Sequence, residues 1–119
     1  MLIKKFADCA EITAADGARL RETLSPHHDA VNSRYSLAHA KVAPGNKTSP
    51  HALAASEVYF IIKGRGTMHI GEETAAVELY DTVYIPPRAV QWIANTGNED
   101  LEFLCLVDPA WRAEDEIKV

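Results

Sequence analysis

Turn-forming residues recur along this chain at short intervals, and this recurrence limits the folds open to it. The signals are Asp16-Gly17, Ser25-Pro26, Pro44-Gly45, Gly64, Gly66, Gly71, Pro86-Pro87, Gly97 and Pro109. Glycine and proline interrupt regular structure and mark turns. Helical periodicity is weak between them, so the sequence predicts short strands joined by turns.

The segments between the turns are short and rich in β-branched and aromatic residues, which favour strands. They predict strands over 18–24, 34–42, 57–63, 66–70, 74–79, 82–85, 90–94 and 101–107. One helical turn is expected over 110–114, after Pro109, and residues 114–116 are expected to form a solvated tail. Many short strands with regular turns predict an all-β sandwich or barrel.

Length and charge restrict the organisation and the partners. A chain of 119 residues suits a single domain with one core. We expect N-terminal strands and a loop over 1–33, a barrel core over 34–107 and a tail over 108–119. The net charge of −5 argues against nucleic acid as a partner, because phosphate binding requires clustered Lys and Arg.

The cysteines and the N-terminus bear on the compartment. Cys9 and Cys105 are too few for a disulfide scaffold, and Cys105 lies in an apolar run that predicts an inert buried thiol. The first residues lack the apolar stretch of a signal peptide, and no apolar segment reaches the length of a membrane span. The sequence therefore predicts a cytoplasmic protein without a membrane partner.

Residues 45–64 carry a spaced set of polar and glycine positions. Gly45 is followed after five residues by His51, then by Leu53, Glu57 and finally Gly64. This pattern resembles the first motif of the cupin family, which has two histidines, a glutamate and flanking glycines at these spacings. Every spacing is met, but Leu53 stands where the second histidine belongs.

Residues 80–95 resemble the second cupin motif, after a linker over 65–79. Asp81, the pair Pro86-Pro87 and Asn95 match that motif. Three positions depart from it: Tyr80 and Arg88 replace glycines, and Gln91 occupies the position of the third histidine. The resemblance implies a double-stranded β-helix, or jelly-roll cupin barrel, with an interior cavity.

Alternate side chains of a strand face the same side, which predicts which residues share the barrel interior. His51 and Leu53 form one such pair. Glu57 and Tyr59 share a face of the next strand, and Gln91 shares a face with Ile93. Leu53, Tyr59 and Ile93 are therefore candidate pocket residues.

The resemblance implies a divalent transition metal held by His51, Glu57 and Gln91. Iron, manganese, nickel, copper and zinc all suit imidazole and carboxylate ligands. His39 is a candidate to replace the lost imidazole or to contact a substrate. The alternative is a metal-free cluster in which His51 and Gln91 hydrogen-bond a buried Glu57, since an unpaired buried carboxylate is costly.

Other polar and aromatic residues receive weaker interpretations. His27-His28-Asp29 suggests a solvated turn, with a surface metal cluster or a pocket lid as the alternatives. Trp92 is expected to face away from the cavity and, with Trp111, to line a subunit interface. His69 is expected to be exposed or packed between subunits.

Three functions fit these observations. The first is a metal-dependent enzyme of the dioxygenase, isomerase or lyase type, acting on a small molecule. The second is a metal-free ligand-binding or sensor module, and the third is an assembly domain with a decayed site. The apolar pocket residues favour a small, partly hydrophobic ligand. The resemblance and the outward apolar residues also imply a homodimer.

Overall fold

The computed structural model describes residues 1–119 and consists almost entirely of strands. The strands are β1 Glu11–Thr13, β2 Arg19–Leu24, β3 Ser36–Val42, β4 Ala52–Leu53, β5 Ser56–Lys63, β6 Gly66–Ile70, β7 Glu73–Val77, β8 Thr82–Ile85, β9 Gln91–Asn95, β10 Leu101–Asp108 and β11 Glu116–Ile117. Short 3₁₀ turns cover Phe6–Asp8 and Ala113–Asp115. The predicted all-β jelly roll is confirmed. The chain forms no helix with the length and apolar character needed to cross a bilayer.

The strands form two main antiparallel sheets. One has six strands in the order β1-β2-β3-β10-β5-β8, and the other has three in the order β7-β6-β9. The segment before β4 runs beside β9, joined by bridges from Lys47 to Ala94 and from His51 to Gln91. A short pair of β11 with β4 adds a third element. The double sheet closes around an interior that both main sheets line.

Side-chain size divides the interior into a filled part and an open part. Ile61, Ile93 and Leu101 belong to the buried core and have no solvent exposure. On β3, by contrast, the small residues Ser36 and Ala38 face inward. These small side chains leave room on the inner face of the six-stranded sheet, and a cavity lies beside them.

The predicted strands agree with the structure to within two residues at each end. The sequence missed β1, β4 and β11, because strands of two or three residues carry no periodicity. The helical turn predicted over 110–114 overlaps the observed 3₁₀ turn Ala113–Asp115 only at residues 113 and 114. Glu116 is exposed as expected, but its backbone pairs with Leu53 in β11, so it does not belong to an unpaired tail.

Two residues take a backbone conformation that favours glycine. Tyr80 has a φ of 71° and Arg88 a φ of 70°. Both stand where the second cupin motif has glycine. A left-handed conformation is costly for a residue with a Cβ atom. The chain thus keeps the turn geometry of the motif while lacking the residue that adopts it without strain.

Candidate functional site

A cavity of about 390 Å³ opens beside the small residues of β3. Fourteen of its 22 lining residues are hydrophobic. The apolar wall includes Leu20, Ala38, Ala40, Leu53, Tyr59, Phe103, Val107 and Trp111, and the polar lining includes Asp16, Glu22, His28, His51, Glu57 and Glu116. An apolar chamber with a few polar groups is the usual form of a small-molecule site.

Glu57 is the only charged side chain among the buried residues. It begins the inward-facing row of β5 and is 7% exposed. Its Oε1 accepts a hydrogen bond of 2.9 Å from the Gln91 amide, whereas its Oε2 accepts none. The second carboxyl oxygen therefore lies free at the cavity wall.

Gln91 connects Glu57 to Tyr59 behind that wall. Its Oε1 accepts a 2.9 Å hydrogen bond from the Tyr59 hydroxyl, while its Nε2 donates to Glu57. Gln91 has no solvent exposure, and the cavity lining does not include it. Both ends of the amide are thus occupied within the protein, which fixes the positions of the Glu57 and Tyr59 side chains.

His51 is placed by its backbone and oriented by a carbonyl. Its N–H donates to the Gln91 carbonyl, and the Gln91 N–H donates back. The ring Nδ1 lies 2.8 Å from the carbonyl oxygen of Ser49. A carbonyl only accepts, so Nδ1 carries the proton and Nε2 is left facing Asp16, whose Oδ2 lies 3.7 Å away.

Burial controls the ionisation of the groups behind the cavity. It raises the pKa of Glu57 to about 7, against the opposing effects of the Gln91 hydrogen bond and the charge of His51. Burial and then the charge of Glu57 hold the pKa of Tyr59 well above its usual value. The Cys105 thiol pKa is also raised, mainly by burial, which fits an inert thiol.

The structure brings some of the predicted site residues together and separates others. His51, Leu53, Glu57 and Tyr59 line the cavity. Ile93 lies in the filled core.

His39 points away from the cavity, so its predicted role there is wrong. Its neighbours Ala38 and Ala40 face inward, which turns His39 to the opposite face of the sheet. There its Nε2 lies 2.8 Å from the Glu102 carboxylate, and its ring packs edge-on against Phe6.

Sequence reasoning missed several polar or aromatic residues of the lining. Five of them lie in the N-terminal and C-terminal parts of the chain: Asp16, Glu22, His28, which was named only as an alternative lid, Trp111, which was predicted at a subunit interface, and Glu116. His28, expected in a solvated turn, lies 3.6 Å from Glu22 through its Nε2. Only the inward parity of β2 offered a signal for Glu22, because the other four lie outside long strands.

The resemblance to the cupin motifs implies a divalent metal, but the hydrogen bonds of Gln91 here differ from those of a metal ligand. Gln91 lies behind the wall, and its carbonyl oxygen is engaged by Tyr59. Leu53 supplies a hydrocarbon surface where a second imidazole would stand. The chain places no group of three or more His, Cys, Asp or Glu side chains suitable for a metal ion. In this structure Glu57 and Gln91 form a hydrogen-bonded group beside His51, and the metal site over His51, Glu57 and Gln91 stays a prediction.

The double sheet, the interior cavity and the two spaced motifs define a cupin barrel. The family model described as the cupin domain matches residues 38–107. The chain belongs to the cupin family.

Curated relatives lie at several levels of similarity. An uncharacterised protein of Methanocaldococcus jannaschii is 40% identical over 84% of this chain and 80% of its own length. The oxalate-binding protein of Thermotoga maritima is 31% identical over 60% of each chain. Auxin-binding protein 1 of Arabidopsis thaliana is 30% identical over 55% of this chain and 37% of its own length.

Solved structures support the fold. A cupin 2 conserved barrel protein from Salinispora arenicola has a TM-score of 0.78 and 19% identity, covering 96% of this chain and 91% of its own. The predicted oxalate decarboxylase of Thermotoga maritima has a TM-score of 0.78 and 23% identity, covering 91% of this chain and 99% of its own. Identity at this level establishes a shared fold and does not transfer an activity.

Proposed function

We propose that this chain is a small-molecule-binding cupin domain that holds its ligand without a metal. The observation that carries the proposal is the free Oε2 of a buried Glu57 at the wall of an apolar cavity. A ligand with an apolar body and one polar group fills the chamber and contacts that oxygen. Small-molecule sites combine these features.

The hydrogen bonds around Glu57 favour binding by a preformed site. Tyr59 and Gln91 hold the carboxyl group in one orientation before any ligand enters. A preorganised polar group avoids part of the entropic cost of association. The names of the oxalate-binding and auxin-binding relatives also denote binding.

A matched pair of substitutions tests whether the cavity is the binding site. Ala38→Leu adds a branched side chain to the cavity wall, whereas Ala75→Leu adds it to an exposed strand. We expect a melting screen of small molecules, run with a chelator, to find ligands that stabilise the natural chain. Saturation at about 100 times the dissociation constant stabilises by about 2.7 kcal/mol.

That stabilisation should disappear in Ala38→Leu and persist in Ala75→Leu. Ligands that stabilise both variants equally would place the site elsewhere. A requirement for added metal would contradict the metal-free proposal.

We also propose a homodimer and a cytoplasmic location. The outer face of the six-stranded sheet exposes Phe60, Tyr84 and Leu106, and Tyr80 stacks on Phe60 with centroids 6.2 Å apart. We call these four residues the outer patch. Contiguous exposed apolar surface is typical of an interaction site.

A further inference from the structure

The charged residues of the cavity are of one sign. Asp16, Glu22, Glu57 and Glu116 line it, together with two histidines and no Lys or Arg. His28 faces Glu22 and His51 faces Asp16, so each histidine has a nearby carboxylate. The negative potential of such a wall disfavours an anionic ligand and favours a cation.

The same cavity presents aromatic surfaces. Tyr59, Phe103 and Trp111 line it, and the rings of Tyr59 and Phe103 lie 4.4 Å apart between centroids. The face of an aromatic ring attracts an ammonium group, most strongly where water is excluded. Aromatic rings and carboxylates together form a wall suited to an organic cation.

A buried oxygen supplies the specific contact. Glu57 is 7% exposed, and Gln91 occupies only its Oε1. The free Oε2 can accept a charge-assisted hydrogen bond from an N–H donor inside the cavity. Glu57 is also more buried than the other carboxylates of the lining, whose side chains are 17% exposed at Asp16 and 26% exposed at Glu22.

We infer that the cavity selects an organic ammonium ion with a compact apolar or aromatic body, its nitrogen donating to Glu57 Oε2. This inference rests on the proposed binding function and adds the chemical class of the ligand. The apolar wall receives the body, and the aromatic rings flank the charged group. An anionic ligand would meet four carboxylates and no Lys or Arg side chain.

Three probes of similar size and different charge test the inference. They are the 2-phenylethylammonium ion, 2-phenylethanol and the 3-phenylpropanoate ion, titrated at pH 8 with a chelator and followed by amide NMR shifts. We expect the ammonium ion to bind about tenfold or more tightly than the alcohol, with the carboxylate weakest. Shifted amides should cluster around the cavity.

Two glutamate substitutions assign the preference to Glu57. Glu57→Gln keeps the size of the side chain and an acceptor for Gln91 but removes the negative charge. We expect it to bring the ammonium and alcohol affinities to within about twofold of each other. Glu72→Gln, in an exposed turn, should leave their ratio unchanged.

The outcomes separate the two proposals. Equal binding of alcohol and ammonium ion, or tighter binding of the carboxylate, would overturn the cation inference while leaving the binding function intact. A preference that survives Glu57→Gln would also overturn it. If no probe binds, the cation inference fails, whereas the binding function fails if Ala38→Leu leaves unchanged the binding of every ligand that the melting screen finds. Should Glu57→Gln not fold, Asp16→Asn gives a second test, expected to reduce the ammonium preference.

Discussion

The side-chain amide of Gln91 donates to the carboxylate of Glu57 at 2.9 Å, across two strands that lie in different sheets. The same amide accepts from Tyr59. Gln91 is therefore the shared partner of two buried polar groups. Its place in the second cupin motif is that of a ligand, but its contacts here are those of a structural connector.

Removing the Gln91 amide is expected to destabilise the fold. Gln91→Leu leaves the Glu57 carboxyl and the Tyr59 hydroxyl without a partner, and each unsatisfied buried group costs about 1–3 kcal/mol. We expect a total loss of about 3 kcal/mol in the free energy of unfolding, measured with urea.

Tyr59→Phe provides the control, with an expected loss of about 1 kcal/mol. The double variant should lose less than the sum, because the hydroxyl is already unpaired in Gln91→Leu. If the losses in the two single variants added exactly in the double variant, Tyr59 and Gln91 would not belong to one hydrogen-bond chain.

The raised pKa of Glu57 predicts a stability that depends on pH. The folded-state pKa is about 7 and the ordinary value is 4.5, so folding favours the protonated form. The protonated Glu57 carboxyl therefore contributes fully to the free energy of unfolding below the ordinary pKa. This contribution is lost as the pH rises through about 7. We expect the free energy of unfolding to fall by about 2 kcal/mol between pH 5 and pH 8.

Urea titrations across that interval measure this slope. Glu57→Gln should flatten it, whereas Glu72→Gln should leave it unchanged. A natural chain that is equally stable at pH 5 and pH 8 would contradict the assignment.

The left-handed turn at Arg88 offers a stabilising substitution. A residue with a Cβ atom at positive φ costs about 1–2 kcal/mol, part of which glycine returns through its greater freedom in the unfolded chain. Arg88→Gly is therefore expected to raise the free energy of unfolding by about 0.5–1 kcal/mol. Arg88→Ala keeps the Cβ atom and should show no gain. If Arg88→Gly and Arg88→Ala changed the free energy of unfolding equally, the change would come from the loss of the arginine side chain and not from the turn.

A variant of this chain that restores the imidazoles of the family motif should gain affinity for divalent metals. We expect iron, manganese, nickel, copper and zinc to leave the melting temperature of the natural chain unchanged. Leu53→His combined with Gln91→His places three imidazoles near Glu57, a ligand set that suits these metals.

Nickel or zinc should raise the melting temperature of that double variant, and elemental analysis should find retained metal. Stoichiometric metal in the purified natural chain would contradict our view of the site.

The outer patch predicts a dimer that a single charge weakens. Phe60 lies opposite Leu104 on β10, and its side chain faces outward. Phe60→Lys places a charge on this apolar face and should shift sedimentation toward the 13.1 kDa monomer. Ile3→Lys, at an exposed terminus, is the control and should sediment as the natural chain does. A natural chain that sediments only as a monomer would overturn the dimer proposal.

Most of the fold was predictable because its strands are periodic. The site was less predictable because it depends on which side chains contact each other. The alternation of Glu57, Tyr59 and Ile61 was enough to assign an inward face. The spacing of His51 and Glu57 was enough to place both at one cavity. The contacts of Gln91 depend on side-chain rotamers and on the distance between the sheets. The spacing of residues along the sequence encodes neither.

His39 illustrates the limit of parity across a turn. Its strand is separated from His51 by the bend at Pro44-Gly45, so the inward face could not be carried from one segment to the other. Glu116 illustrates another limit. A two-residue strand has no pattern, and its position at the cavity follows only from pairing with Leu53.

The pairing of β11 with β4 has a consequence for protein synthesis. The cavity wall draws on residues from Ile12 to Glu116, and the last of these are held by β11. A nascent chain that has not yet emerged as far as β11 has sheets to pair but an incomplete chamber. The chamber is therefore complete only after β11 has emerged and paired with β4.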